Sequence, residues 1–255
     1  MNLSTADPLA VAAVEAIHRG DVASLQCLLR ENPGLATARL GNPNDCNGMS
    51  RTLLHVATDW PGLFPNGAAT VAALVAAGAD VNARFTGHHT ETPLHWAASS
   101  DDVSVLDALL DAGADIEARG AVIGGGTPLA DAVAFGQWKT ARRLVERGAR
   151  TALWQAAALG LMDRVEKHFS EDTFAPWSPR APRPDAAAPD EVTHAFWCAC
   201  HGGQRQSAEY LLARGADLNW IGYDALTPID VARRSEAGAL VKWLASKGAT
   251  SAKGS

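Results

Sequence analysis

Two short motifs recur along this chain, and their spacing restricts the fold more than any other property. Thr92-Pro93-Leu94-His95-Trp96-Ala97-Ala98 is preceded by Thr52-Leu53-Leu54-His55-Val56-Ala57 and followed by Thr127-Pro128-Leu129 and Thr227-Pro228-Ile229-Asp230. Gly-Ala-Asp closes an apolar run at Gly78, Gly113 and Gly215, with looser copies at Gly148 and Gly248. Proline in the first helical turn forfeits no hydrogen bond, and the threonine before it can cap the open amides. Glycine just past a helix takes the left-handed conformation that ends it. Each copy therefore reads as one helical hairpin. A hairpin of about 33 residues cannot bury its apolar face alone, so successive copies must stack.

The Thr-Pro-Leu-His-x-Ala pattern at this period resembles the ankyrin-repeat family, and the resemblance extends over nearly the whole chain. It implies an all-α solenoid of about seven helix–turn–helix units with short β-hairpin tips. Residues 1–33 form an N-terminal capping repeat without Thr-Pro-Leu-His, and 34–170 hold repeats two to five. A Pro-rich loop occupies 171–190, repeats six and seven fill 191–250, and 251–255 is a polar tail. The pairs Leu109-Leu110 and Leu211-Leu212 are expected between units, and Trp138 and Trp243 stand where core aliphatics belong. Three interruptions break the pattern: an insertion at 61–65, tips lengthened by about two residues at 84–91 and 119–126, and five prolines within 171–190 that forbid a continuous helix.

Composition narrows the partners. Hydrophobic residues make up 47% of the 255, enough for a core without metal or disulfide staples. Against 22 basic residues stand 28 acidic ones, a net charge of −6, which argues against nucleic acid bound through its phosphates. The stretch 9–17 is interrupted by Glu15 and too short to span a bilayer, and the first ten residues lack the basic start of a secretory signal. Cys27, Cys46, Cys198 and Cys200 give no disulfide framework, so a reduced, cytoplasmic protein without membrane attachment is expected.

The resemblance implies binding on the concave side, built from hairpin tips and inner-helix ends. There the chain offers Asp59, Trp60, His88, His89, Glu91, Trp96, Ser99, Asp131, Trp197, His201, Trp220 and Tyr223. His55 and His95, the motif histidines, are expected to tie one unit's turn to the next. Asp131 replaces an apolar inner-helix residue, and a buried carboxylate is costly unless it is bonded or paired. Its nearest partner in sequence is the turn at Gly124-Gly125-Gly126. Those glycines lack the context of a phosphate-binding loop and read as backbone that needs positive φ or close approach. In the sixth unit His194-Ala195-Phe196-Trp197 stands in place of Thr-Pro-Leu-His. Cys198, Cys200 and His201 lack a matched second ligand group, so no metal is expected, and buried inert thiols are the simpler reading. No cofactor is implied.

Fold alone does not decide function. The first reading is a binding module that takes a protein, peptide or small molecule in the concave groove. The alternative is a cofactor-independent hydrolase, lyase or isomerase whose acid and base come from Asp59, His88, His89, Glu91 and Asp131. A purely structural role is the third.

Overall fold

The computed structural model describes residues 1–42, 48–170 and 189–252. Cys46, the adjoining part of the 44–50 tip, positions 171–188 of the Pro-rich loop and the end of the tail lie outside the described residues. Fourteen α-helices in seven pairs are present among those described. They divide into two compact units, 1–149 and 150–255. The division falls between the fourth and fifth helix pairs.

In the first unit the pairs are α1 (Pro8–Arg19) with α2 (Val22–Glu31), α3 (Leu53–Thr58) with α4 (Gly67–Ala76), α5 (Pro93–Ser99) with α6 (Val103–Asp111), and α7 (Pro128–Ala134) with α8 (Trp138–Glu146). Local chemistry fixes their ends. The Asp7 carboxylate accepts from the Leu9 amide at 2.8 Å, and Asp21 and Asp102 cap α2 and α6 in the same way. Leu25, Leu53, Leu54, Leu74, Leu94, Leu106, Leu109, Leu129 and Leu144 form the buried core.

Only the first tip develops a ladder. Strand β2 (Arg39–Gly41) pairs antiparallel with β3 (Ser50–Thr52) and parallel with β1 (Asn2–Ser4), a strand with no counterpart in the repeat pattern. Arg39 locks this sheet: its Nε donates to the Ser50 hydroxyl at 2.9 Å and its Nη2 to the Arg84 carbonyl at 2.8 Å. Among the described residues the later tips are turns, the 84–91 tip joined to the first by one two-bond bridge between Ser50 and Thr86. At one of them Gly120, at φ +129°, packs so closely on the Thr90 carbonyl that no side chain would fit.

The 61–65 insertion is held on both flanks. The Leu63 amide donates to Asp102 Oδ2 at 3.0 Å, and Asn66 Nδ2 donates to the Gly20 carbonyl at 2.9 Å. Phe64 stacks on His18 with ring centroids 4.5 Å apart.

The second unit holds α9 (Leu153–Leu159), α10 (Met162–Ser170), α11 (Glu191–His201), α12 (Arg205–Leu212), α13 (Pro228–Arg234) and α14 (Gly238–Ser246), with a 3-10 turn at Tyr223–Ala225. Phe196, Leu211, Val231 and Leu244 lie in its core.

Two packing expectations need correction. Leu109 and Leu211 are buried, but Leu110 and Leu212 are half-exposed. Adjacent helical residues point about 100° apart, so only one leucine of each pair can face the stack. Trp138 and Trp243 are likewise half-buried, because they sit on outer helices with one edge toward solvent.

Candidate functional site

The tips are tied to the helices by a repeated bond. His55 Nδ1 accepts from the Thr52 amide at 3.3 Å, which leaves Nε2 protonated to donate to the Glu91 carbonyl at 3.2 Å. His95 repeats this with the Thr92 amide at 3.1 Å and the Gly126 carbonyl at 3.4 Å. Burial lowers both imidazole pKa values to about 4, so they are neutral struts and not bases. The sequence expectation for these two histidines describes the bonds found. Trp96 meets His55 edge-on at 4.9 Å, and the Phe85 ring lies 5.5 Å from Trp96. Both Trp96 and Phe85 are half-exposed.

Asp131 occupies on α7 the position that Trp96 holds on α5. It is only 1% exposed, and its Oδ1 accepts from the Ile123 amide at 3.3 Å. The bonded turn lies just ahead of the three glycines. Burial raises its pKa to about 7; the Ile123 and Val122 amides pull it down and the Glu91 charge pushes it up. Glu91 itself is 8% exposed. Among the described residues its carboxylate makes no hydrogen bond or ion pair, although its backbone carbonyl accepts from Phe85 and His55.

The other acid–base candidates stand apart from this pair. Asp59 is engaged by Arg51 and also accepts from the Trp60 amide at 2.9 Å. His88 and His89 stay exposed on the tip, and no hydrogen bond links either to Asp59, Glu91 or Asp131 among the described residues. The half-buried Ser99 hydroxyl is spent on the His95 carbonyl at 2.9 Å. Trp60 is 80% exposed beside the insertion.

In the second unit the strut position is filled by other chemistry. Trp197, 4% exposed, donates its indole N–H to the Leu226 carbonyl at 2.9 Å, the bond that His95 makes in the third repeat. It is an interior strut and not part of an open groove. Gln155 accepts from the Ala152 amide at 2.8 Å. Asp230 accepts from the Thr227 hydroxyl at 2.8 Å and the Ala252 amide at 2.9 Å. Burial alone would raise its pKa, but these bonds and one from the Ser251 hydroxyl hold it at about 2.

Around Trp197 the rings of Tyr223 (5.3 Å), His201 (5.7 Å) and Trp220 (6.5 Å) form one cluster, and Gly222 is pressed between the two indoles. Of these, Trp220, Tyr223 and His201 are half-buried. Sequence reasoning missed His194 as a member. Because α11 begins a full turn before the repeat pattern requires, His194 lies inside the helix, with Nε2 3.1 Å from the Tyr223 hydroxyl and 3.6 Å from Cys198 Sγ. Burial lowers the His194 pKa to about 4 and pushes both the Cys198 and Cys200 thiols far up, which leaves an unreactive trio. Among the described residues no three His, Cys, Asp or Glu side chains are placed to hold a metal ion.

A stack of helical hairpins tied tip to helix by such struts defines a repeat protein of the ankyrin type. Residues 65–154 match the model for ankyrin repeats in three copies. Among solved structures, it is similar to the crystal structure of the human ASB11 ankyrin repeat domain: 20% identical, covering 93% of this chain and 97% of that one, with a TM-score of 0.49. No curated protein matches the sequence. No helix among the described residues is long and apolar enough to cross a membrane.

Proposed function

We propose that this chain is a non-catalytic interaction module that recognises a protein or peptide segment along the concave face of its first unit. Ankyrin repeats are in general protein-interaction modules. One observation carries the reading to this face. The half-exposed Phe85–Trp96 ring pair adjoins an acidic pair, Glu91 and Asp131, that is not neutralised by a basic side chain among the described residues. Half-exposed aromatics beside desolvated polar groups are the composition of binding hot spots. Nothing in the arrangement supports the enzymatic alternative. The buried imidazoles are neutral struts, Asp59 is engaged by Arg51, and the tip histidines meet none of the candidate acids. The free thiols of Cys27, Cys198 and Cys200 suit a reducing, cytoplasmic setting.

A random-peptide display selection against the immobilised full chain, followed by hydrogen-exchange footprinting of the selected peptides, tests this reading. Protection is expected at 84–99 and 119–131, and Trp96→Ala should weaken binding by about 2 kcal/mol, the scale of a hot-spot aromatic. A footprint confined to other residues would overturn it.

A further inference from the structure

Glu91 and Asp131 are two buried acids that meet no cation among the described residues. Other acids of the first unit are engaged by specific partners: Asp59 by Arg51, Asp101 by Lys139 and Asp107 by both Arg143 and Arg147, while Asp7, Asp21 and Asp102 cap helix amides. Glu91 and Asp131 are more than nine-tenths buried, the Glu91 charge acts on Asp131 as a like charge, and no cation contributes to the balance at Asp131. Arg84, the basic residue of the same tip, is spent on the carbonyls of Thr90 and Arg119. The imidazoles of His55 and His95 are uncharged struts. Two desolvated carboxylates without a counter-ion raise each other's energy, and a cation arriving between them relieves both the repulsion and the lost hydration.

The Glu91 carboxylate is also left without a hydrogen bond among the described residues, although its backbone carbonyl accepts two. Beside it the Phe85 and Trp96 rings lie 5.5 Å apart, inclined at 49°, and present half-exposed π faces. A guanidinium matches both features. Its planar fork bonds carboxylates along one edge while its face stacks on aromatic rings, whereas an ammonium offers only a compact, strongly hydrated charge.

We propose that Glu91 and Asp131, flanked by Phe85 and Trp96, form a receiving site for one arginine side chain of a basic peptide segment. This rests on the interaction reading above and adds the partner's chemistry to it. The guest arginine forms an ion pair with the Glu91 carboxylate and stabilises the ionised form of Asp131. Binding near neutral pH then releases a fraction of a proton.

The test uses the full chain and three capped tripeptides, Gly-Arg-Gly, Gly-Lys-Gly and Gly-citrulline-Gly, titrated by NMR. Saturable shifts at the Glu91, Val122 and Ile123 amides are expected with the arginine peptide, weaker ones with lysine and none with the neutral citrulline isostere. Glu91→Gln should weaken the arginine peptide at least about tenfold, as expected on losing one charged partner, while Asp163→Asn, an equal change of net charge on an exposed helix of the other unit, should leave it unchanged. Calorimetry in two buffers of different ionisation enthalpy should show proton release from the native chain and none from Asp131→Asn. Equal shifts with arginine and citrulline, or native affinity in Glu91→Gln, would overturn the site. If peptides of another chemistry still footprint 84–99 and 119–131, only this inference falls; if the footprint lies elsewhere, the interaction reading falls with it.

Discussion

The two units solve one mechanical problem with different side chains. In the first, tip and helix are joined by imidazoles, His55 and His95, each neutral and each bridging an amide and a carbonyl. In the second, the indole of Trp197 donates to Leu226 and the carboxylate of Asp230 gathers donors from Thr227, Ser251 and Ala252. The geometry asks only for a polar atom that reaches an orphan backbone group from the position aligned with the motif histidine. Residue type is then free to follow the surroundings: an aromatic where rings cluster, an acid where the last repeat supplies amides, hydroxyls and the Arg233 guanidinium. The first and fourth repeats depart from this, the first carrying Ala10 at that position. The fourth carries Ala130 at the strut position, and Asp131, one residue on, bonds its own tip at Ile123.

Breaking the indole strut should have the largest effect. Trp197→Ala removes a nearly buried ring and leaves the Leu226 carbonyl without its donor. A loss of about 3–5 kcal/mol in denaturant unfolding is expected. A loss below about 1 kcal/mol would show that the ring cluster does not depend on it.

The next largest effect is a dependence on pH. The pKa of Asp131 is about 7 in the folded chain and near the ordinary aspartate value when unfolded. Its folded form therefore holds a proton that the unfolded form gives up, and stability falls as pH rises from about 4 to about 7. The histidines slope the other way: with pKa values lowered to about 4, His55 and His95 stabilise the fold above about 6.5 and withdraw that support as pH falls toward 4. Asp131→Asn should remove the first slope alone and raise stability at pH 8 by an amount on the order of 3–4 kcal/mol. Thermal midpoints of both proteins at pH 5 and pH 8 check this, and an unchanged difference between the two pH values would refute the buried-carboxylate account.

His95→Ala should cost about 1–3 kcal/mol, the penalty of leaving buried backbone groups at Thr92 and Gly126 unbonded. His95→Gln should recover part of it, since Gln155 performs a related bond in the fifth repeat. Smallest of all, Trp60→Ala should change stability by less than about 0.5 kcal/mol, because that residue is already 80% exposed.

The repeat was legible because its signals are local. Thr-Pro at a helix start, glycine at its end and histidine in the motif each act within a few residues, and they place the pairs that carry them and set the register for the rest. Finer features needed contacts between distant segments. Nothing within Leu109-Leu110 says which leucine faces the stack; that depends on the helix's rotation against its neighbour. Strand β1 pairs with residues 39–41, too far along the chain for periodicity to reveal. Trp197 looked like a surface anchor because tryptophan is common at interfaces, yet its alignment with the motif histidine was the signal that it is a strut. For the candidate surface, the sequence identified Asp131 and Glu91 as unusual, but not that Asp59 is engaged by Arg51 or that His88 and His89 stand apart.

The 61–65 insertion acts as a clasp. Its Leu63 amide and Asn66 side chain are fastened to the turns of the third and first repeats. Repeat arrays usually lose order from their ends inward, because each unit touches only its neighbours. Here the first repeat cannot peel away without also loosening an attachment that continues into the third. Fraying at the N-terminal end thus becomes a three-repeat event, and amide exchange at Leu63 should follow the slow opening of that whole block and not the fast motions of an ordinary surface loop.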